Sequence, residues 1–268
     1  SFKQLVKSRL NETSIDKSTF LKNGYKVCDL TNYNNFLRLS DEEDWSDLIE
    51  TPKDFIKYFA DQGMVFSGDF AGWDFSNSHL HGNSLQCSNL VGSDFSFSDL
   101  SLADLCDTDC TASTFRLAIL VRTNFENANL SKCSFEKAII NDADFTGADL
   151  SEANLANLDL TSMNFSEVDF SNANLVSVDF SNCDLSDCCF IGANLDGARF
   201  VGADLTNSDF SNAILTNCLF QSSELAKVNF AGSNLSNANL FGLKVNTRNL
   251  LFAKLFNTVM PDGTVSRA

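Results

Sequence analysis

Histidine is nearly missing from this chain: His79 and His81 are the only two in 268 residues. A Ser-His or Cys-His couple for nucleophilic catalysis would need one of them. Both flank Leu80 in a pattern that points them to solvent. No two of the nine cysteines stand at CxxC spacing, so zinc ligation is poorly served. The odd count and the adjacent Cys188 and Cys189 read as small buried side chains in a reducing cytosol rather than a disulfide framework. A Gly-rich phosphate loop is also missing. No apolar run approaches the roughly 20 residues needed to span a bilayer. The chain opens on Ser1, which leaves open whether a targeting segment preceded it. Basic residues are scarce, with 19 Lys and Arg against 35 Asp and Glu and a net charge of −16. Direct binding to nucleic acid or to an anionic membrane is therefore disfavoured, because both need clustered cations. A basic partner, or imitation of nucleic-acid charge, remains compatible. These absences predict a non-enzymatic cytoplasmic protein with no cofactor, no metal and no catalytic residue.

What is present is a period. From Phe70 every fifth residue is large and apolar through 38 consecutive positions to Leu255, and only Cys110 and Val245 depart from Leu, Phe or Ile. Two residues before each centre small side chains dominate, as at Ala143, Ala148, Ala153, Ala193 and Ala203. Asp or Asn directly precedes the centre, and Ser or Thr often follows it. Ala148-Asp149-Leu150-Ser151-Glu152 and Ala203-Asp204-Leu205-Thr206-Asn207 show the unit whole. A period of five suits neither a helix nor a plain strand. It reads as a short extended piece and a turn, with the centre and the small residue inward and the other three toward water. One such unit cannot bury its apolar residues alone, so units must stack.

The unit strongly resembles the pentapeptide-repeat family, over about 70% of the chain. The resemblance implies an all-β solenoid, a right-handed quadrilateral β-helix. An internal test bears on the four sides, since like-sized side chains should stack in columns. Scored as Phe or not-Phe, 26 of 34 centres match at spacing 20, against 9 of 35 at spacing 15 and 26 of 36 at spacing 10. That pattern excludes a triangle more firmly than it proves a square. At about 4.8 Å per coil the repeats would build a rod roughly 46 Å long, with no loop longer than a turn.

Residues 64–257 are thus assigned to the β-helix, residues 1–63 to an N-terminal cap and residues 258–268 to a tail. Within the cap, residues 5–30 read as a degenerate first coil, with Cys28-Asp29-Leu30-Thr31-Asn32 as its best repeat. Residues 40–63 read as helical, with Ser40 as a capped start, Pro52 at a second start and an apolar stripe of Phe55, Ile56 and Phe59. At the other end, Phe252, Phe256, Val259 and Met260 precede a Pro261-Asp262-Gly263 turn. They are expected to fold over the last coil, with pairing to a second molecule as the alternative. The Met-Pro-Asp-Gly-Thr ending resembles that of many bacterial, especially cyanobacterial, family members.

Two surface features stand out from the repeat. With four sides, Asp104, Asp144, Asp184, Asp204 and Glu224 share one column, and Asp149, Asp169 and Asp209 the next. Stacked like charges repel, so Asn and Ser are interleaved in places. This acidic ladder is either a solvated face or a binding face. The second feature is apolar residues at polar positions: Phe97 and Leu117 two after a centre, Ile119 and Ile139 just before one. They should gather at one corner, as a contact site or as a surface that residues 31–63 cover. The Asn-x-Ser sequons at Asn129, Asn164 and Asn234 are by-products of the repeat.

The leading functional reading is a scaffold that recognises a protein partner through a face or end of the rod, with monomer or dimer undecided. The alternative is DNA mimicry. Some pentapeptide-repeat proteins resemble duplex DNA in width and charge and occupy the DNA channel of type II topoisomerases such as gyrase. This chain differs from those members in lacking repeat-interrupting loops and a C-terminal helix.

Overall fold

The computed structural model describes residues 68–245 and 247–267. The expected cap, including the coil at 5–30 and the helix at 40–63, lies outside the described residues. From Asp69 onward, parallel bridges join residues 20 apart, for example Asp69 to Asn89, Asn129 to Asp149 and Asp184 to Asp204. Four five-residue sides therefore complete each coil. Each side is too short for a continuous strand, and most sides make one bridge to the coil before and one to the coil after.

The unit around Leu150 shows how this sequence makes such a side. The Leu150 amide donates to the Asp169 carbonyl at 2.8 Å, and Glu152 donates to Ser171 at 2.8 Å, both in the next coil. Asp149 donates to Ala128 in the preceding coil at 3.0 Å. The chain then turns a corner: Ala153 donates back to the Leu150 carbonyl at 3.1 Å, and Glu152 has φ 58°. Positive φ confined to the third residue of an i to i+3 turn is the type II geometry. Asn and Gly fill many of these corners because they tolerate that conformation. The Asp before the centre has a local task too. Asp149 Oδ1 accepts the Ser151 amide at 2.8 Å, closing an Asx-type turn that starts the corner.

The interior follows from the inward pair. Nearly all the centres from Phe75 to Leu240 are fully buried, and the phenylalanines stack coil upon coil. Phe75, Phe95, Phe115 and Phe135 form one stack with centroids 4.8, 5.1 and 5.1 Å apart. Phe170, Phe190 and Phe210 form another at 5.0 and 4.5 Å. Neighbouring stacks meet edge-on, as Phe190 and Phe200 do at 84°. Most Ser, Thr and Cys at the inner small position donate to the carbonyl of a centre. The acceptor lies 23 residues earlier, as from Ser113 Oγ to Leu90 at 2.6 Å and Cys133 Sγ to Cys110 at 2.9 Å, or three residues earlier in the same turn, as from Thr108 Oγ1 to Leu105 at 2.6 Å. A buried hydroxyl without a partner would be destabilising, so this bond explains why these residues replace Ala there.

Three features differ from the sequence reading or refine it. Trp73 stands at an inner small position and packs against Phe70 at 4.8 Å and Phe75 at 5.9 Å, filling the start of the described core. The five-residue spacing continues through Val245, but the geometry does not: a 3₁₀ turn, Thr247–Leu250, replaces one side, and the bridges resume at Asn234 with Lys254. The C-terminal residues make a small antiparallel closure, with Val259 paired to Val265 and Met260 donating to Thr264 at 2.7 Å. Met260 packs against the core, whereas Phe252 stays 87% exposed and Phe256 is exposed as well, because their side chains occupy outward corner positions.

Two outcomes follow for stability. Phe190→Ala removes the middle ring of a stack and should lower the unfolding free energy by roughly 3–5 kcal/mol, read from urea denaturation. Acid should act through the turns. Burial pushes the Asp179 carboxyl up, but hydrogen bonds from the Ser181 side chain and backbone, and Arg199 beside it, hold it below its usual value. A depressed folded pKa stabilises above the unfolded pKa of about 3.9 and is lost as pH falls through the folded value. Asp179→Asn should therefore weaken the acid dependence of the urea midpoint below about pH 4.

Candidate interaction faces

Naming each face by the residue before its centre, face 1 carries Asp99, Ile119 and Ile139. Face 2 carries Asp104, Asn124 and Asp144; face 3 carries Asn129, Asp149 and Asp169; and face 4 carries Ser134, Asn154 and Asn174. Parallel bridges join Asp99 to Ile119 and Ile119 to Ile139, which sets the two isoleucines side by side with 39% and 50% exposure. At the corner leading into this face, Phe97 and Leu117 lie one coil apart, and the Phe97 amide donates to the Arg116 carbonyl at 2.9 Å. Phe97 is 52% exposed and Leu117 half-buried. The four apolar residues singled out in the sequence thus occupy one corner and its adjoining face on adjacent coils.

The structure adds Leu102, also 52% exposed, at the corner that ends the same face. It stands two after a centre, as Phe97 does, so the rule that finds Phe97 finds it too. Phe97, Leu102 and Leu117 have φ of 61°, 60° and 57°. Bulky apolar residues at left-handed corners lack the easy backbone geometry that Asn or Gly has there. Cations border the patch. The Arg116 guanidinium carbon lies 5.4 Å from the Phe97 ring centre and its Nε 3.5 Å from Glu136, while Arg122 pairs with Asp142 at 3.7 Å.

The acidic residues fall on faces 2 and 3. Asp184, Asp204 and Glu224 are consecutive in their column, bridged coil to coil, and Asp149 is bridged to Asp169. Where Asn intervenes it offers a donor: Asn124 Nδ2 reaches Asp104 Oδ1 at 3.1 Å, and Asn229 Nδ2 reaches Asp209 Oδ1 at 3.2 Å. Asp144 accepts the Thr146 amide at 2.9 Å, and Asp169 and Asp209 accept those of Ser171 and Ser211 at 2.8 Å. Each of these carboxylates holds its own turn and still presents charge outward. None of the eight forms an ion pair among the described residues.

His79 and His81 are both exposed, and no group of three metal-ligating side chains occurs among the described residues. The eight described cysteines are free. Burial pushes the Cys110 thiol up to about 12, and it raises Cys183 to about 11 and Cys133 well above its usual value. Burial does the same for Cys106, with Asp107 beside it, up to about 11. Such thiols stay protonated and unreactive near neutrality.

Models of pentapeptide repeats match residues 74–109, 108–147 and 118–157, and a model of a pentapeptide repeat region matches 163–240. Together these cover more than half of the chain. It belongs to the pentapeptide-repeat family. Among solved structures, HetL, a pentapeptide-repeat protein involved in heterocyst differentiation regulation from the cyanobacterium Nostoc, is 24% identical with a TM-score of 0.57. That likeness covers 81% of this chain and all of HetL. A pentapeptide-repeat protein of the Arabidopsis thaliana thylakoid lumen is 30% identical over 39% of this chain and 70% of its own, at a TM-score of 0.33. QnrB1, a plasmid-mediated fluoroquinolone resistance protein, is 20% identical over 72% of this chain and 92% of its own, at 0.32. No protein of curated function matches the sequence. No helix among the described residues is long and apolar enough to cross a membrane.

For this repeat protein the thiols give a direct check. A thiol reagent at pH 8 should leave Cys110, Cys133, Cys188 and Cys218 unmodified in the folded state and label them in guanidinium, read by peptide mass mapping.

Proposed function

We propose that this protein is a non-enzymatic, cytoplasmic scaffold, a right-handed quadrilateral β-helix that holds a protein partner on face 1. The single observation behind this reading is the apolar group of Phe97, Leu102, Leu117, Ile119 and Ile139 on adjacent coils of an acidic chain. Exposed groups of this kind mark association surfaces, and a solenoid presents them on a rigid frame. The right hand of the coil rests on the likeness to HetL and to the family.

Leu117→Asp with Ile119→Asp should abolish capture of the partner from source-cell lysate and leave the circular dichroism spectrum unchanged. A partner retained by the double variant would count against face 1.

The acidic columns favour a second reading. On faces 2 and 3 carboxylates recur at the coil spacing of about 5 Å from Asp184 to Glu224 and from Asp149 to Asp169, and none of these forms an ion pair among the described residues, which suits imitation of duplex DNA toward a type II topoisomerase. On that reading, purified protein inhibits or protects gyrase supercoiling in a dose-dependent way. Supercoiling that is unchanged at large molar excess rules it out.

A further inference from the structure

The hydrogen-bonded seam between successive coils is interrupted at residues 136–147 against residues 156–167. One turn earlier, Leu120 donates to Ile139 at 2.7 Å, Arg122 to Asn141 at 3.0 Å, Phe125 to Asp144 at 2.7 Å and Asn127 to Thr146 at 2.9 Å. The corresponding amides of Ile140, Asp142, Phe145 and Gly147 make no backbone bond to the next coil, and neither do Asp159 and Asn164 to the coil before. The parallel bridges that would join Ile139 to Asp159 and Asp144 to Asn164 are missing too. Directly before this stretch the seam is closed, with Phe135 bonded to Asn154 at 2.9 Å and Asn154 to Cys133 at 2.8 Å. Directly after it, Leu150 bonds Asp169 at 2.8 Å, while Asp169 reaches Ala148 only at 3.4 Å. The opening spans faces 1 and 2, and faces 3 and 4 hold.

The cause is local and steric. The inner small position holds Leu158 on face 1, above Ala138, and Met163 on face 2, above Ala143. Backbone bonding requires coils about 4.8 Å apart, and an inward side chain longer than Val overfills that gap. A series within the molecule supports this. Leu158 and Met163 accompany lost bonds, and so does Leu243, since Lys244 makes no bond to Ser223. Val168 accompanies the stretched Asp169 bond, and Val178 and Val228 keep theirs, with Asp179 to Leu158 and Asn229 to Ser208 both at 3.0 Å.

We propose that the solenoid is hinged at this seam, two closed stretches pivoting on faces 3 and 4 so that faces 1 and 2 open and close. Ile139 stands at the lip of the opening, which places the edge of the apolar patch on a moving boundary. The hinge does not depend on the partner reading, because it rests on the backbone bonds and inner side chains alone.

Residue-resolved hydrogen exchange on the full chain tests it. The amides of Ile140, Asp142, Phe145, Gly147, Asp159 and Asn164 should exchange at least about tenfold faster than Leu120, Arg122, Phe125, Asn127, Ile139 and Asp144. Equal rates overturn the proposal without any variant being made. In Leu158→Ala/Met163→Ala the fast set should slow toward its counterparts. The reverse change, Ala198→Leu/Ala203→Leu, should create a new fast set at Phe180, Asn182, Leu185 and Asp187. If neither variant moves its set, side-chain wedging is not the cause. Spin labels carried on unnatural amino acids report the pivot itself. Positions 101 and 201, on the opening side and about 24 Å apart, should give a broader distance distribution than positions 111 and 211 on the closed side. Equally narrow distributions overturn it.

Discussion

Backbone hydrogen bonding between coils sets the distance on which everything else in this molecule depends. Amide and carbonyl groups must meet at about 2.8 Å, so successive coils lie about 4.8 Å apart. Every inward side chain has to fit that interval. Leu and Phe do so at the centres because identical rings stack face to face, as Phe190 does on Phe210 at 4.5 Å. The position two before the centre lies beside the corner and has less room, which is why Ala, Ser and Cys recur there. Leu158 and Met163 show what happens when the limit is exceeded: the bonds yield and the side chains stay inside. The ladder is therefore both the frame of the solenoid and the first element to give way when packing and bonding conflict.

The surface is what this frame leaves free. Two of five residues face inward, and the Asp or Asn before the centre is partly committed to its turn, as Asp149 is through the Ser151 amide. Charge on faces 2 and 3 is thus a by-product of turn chemistry before it is anything else. The apolar residues of face 1 have no such explanation. Isoleucine offers no side-chain acceptor to the turn, so Ile119 and Ile139 forgo the bond that Asp gives elsewhere. Leucine and phenylalanine at left-handed corners forgo the ease of Asn or Gly. The proposed protein–protein contact would give these residues a role that the turn does not.

Much of this was legible in the sequence because a solenoid is nearly one-dimensional: contacts repeat at a constant separation, so a pattern in the chain is a pattern in space. Phe75, Phe95, Phe115 and Phe135 could be placed in one stack from spacing alone, and the column holding Asp104, Asp144 and Asp184 followed by the same arithmetic. Leu102 was equally legible, since it obeys the rule that singles out Phe97. The 3₁₀ turn at Thr247–Leu250 was not. Val245 and Leu250 keep the period, and a period counts residues without recording which hydrogen bonds they make.

What the sequence by itself determined is the repeat, the inward pair and the family, because five-residue periodicity with a small residue two before each centre has one economical way to bury its apolar side chains. Tertiary structure supplied the bridges between residues 20 apart, such as Asn129 to Asp149, that go with the four sides implied by the family resemblance, since spacing 10 and spacing 20 scored almost alike in the chain. It also decided where the ladder opens. Leu158 and Met163 look like ordinary apolar variants in the chain, and only the short distance to Ala138 and Ala143 in the coil beneath turns their extra volume into lost hydrogen bonds.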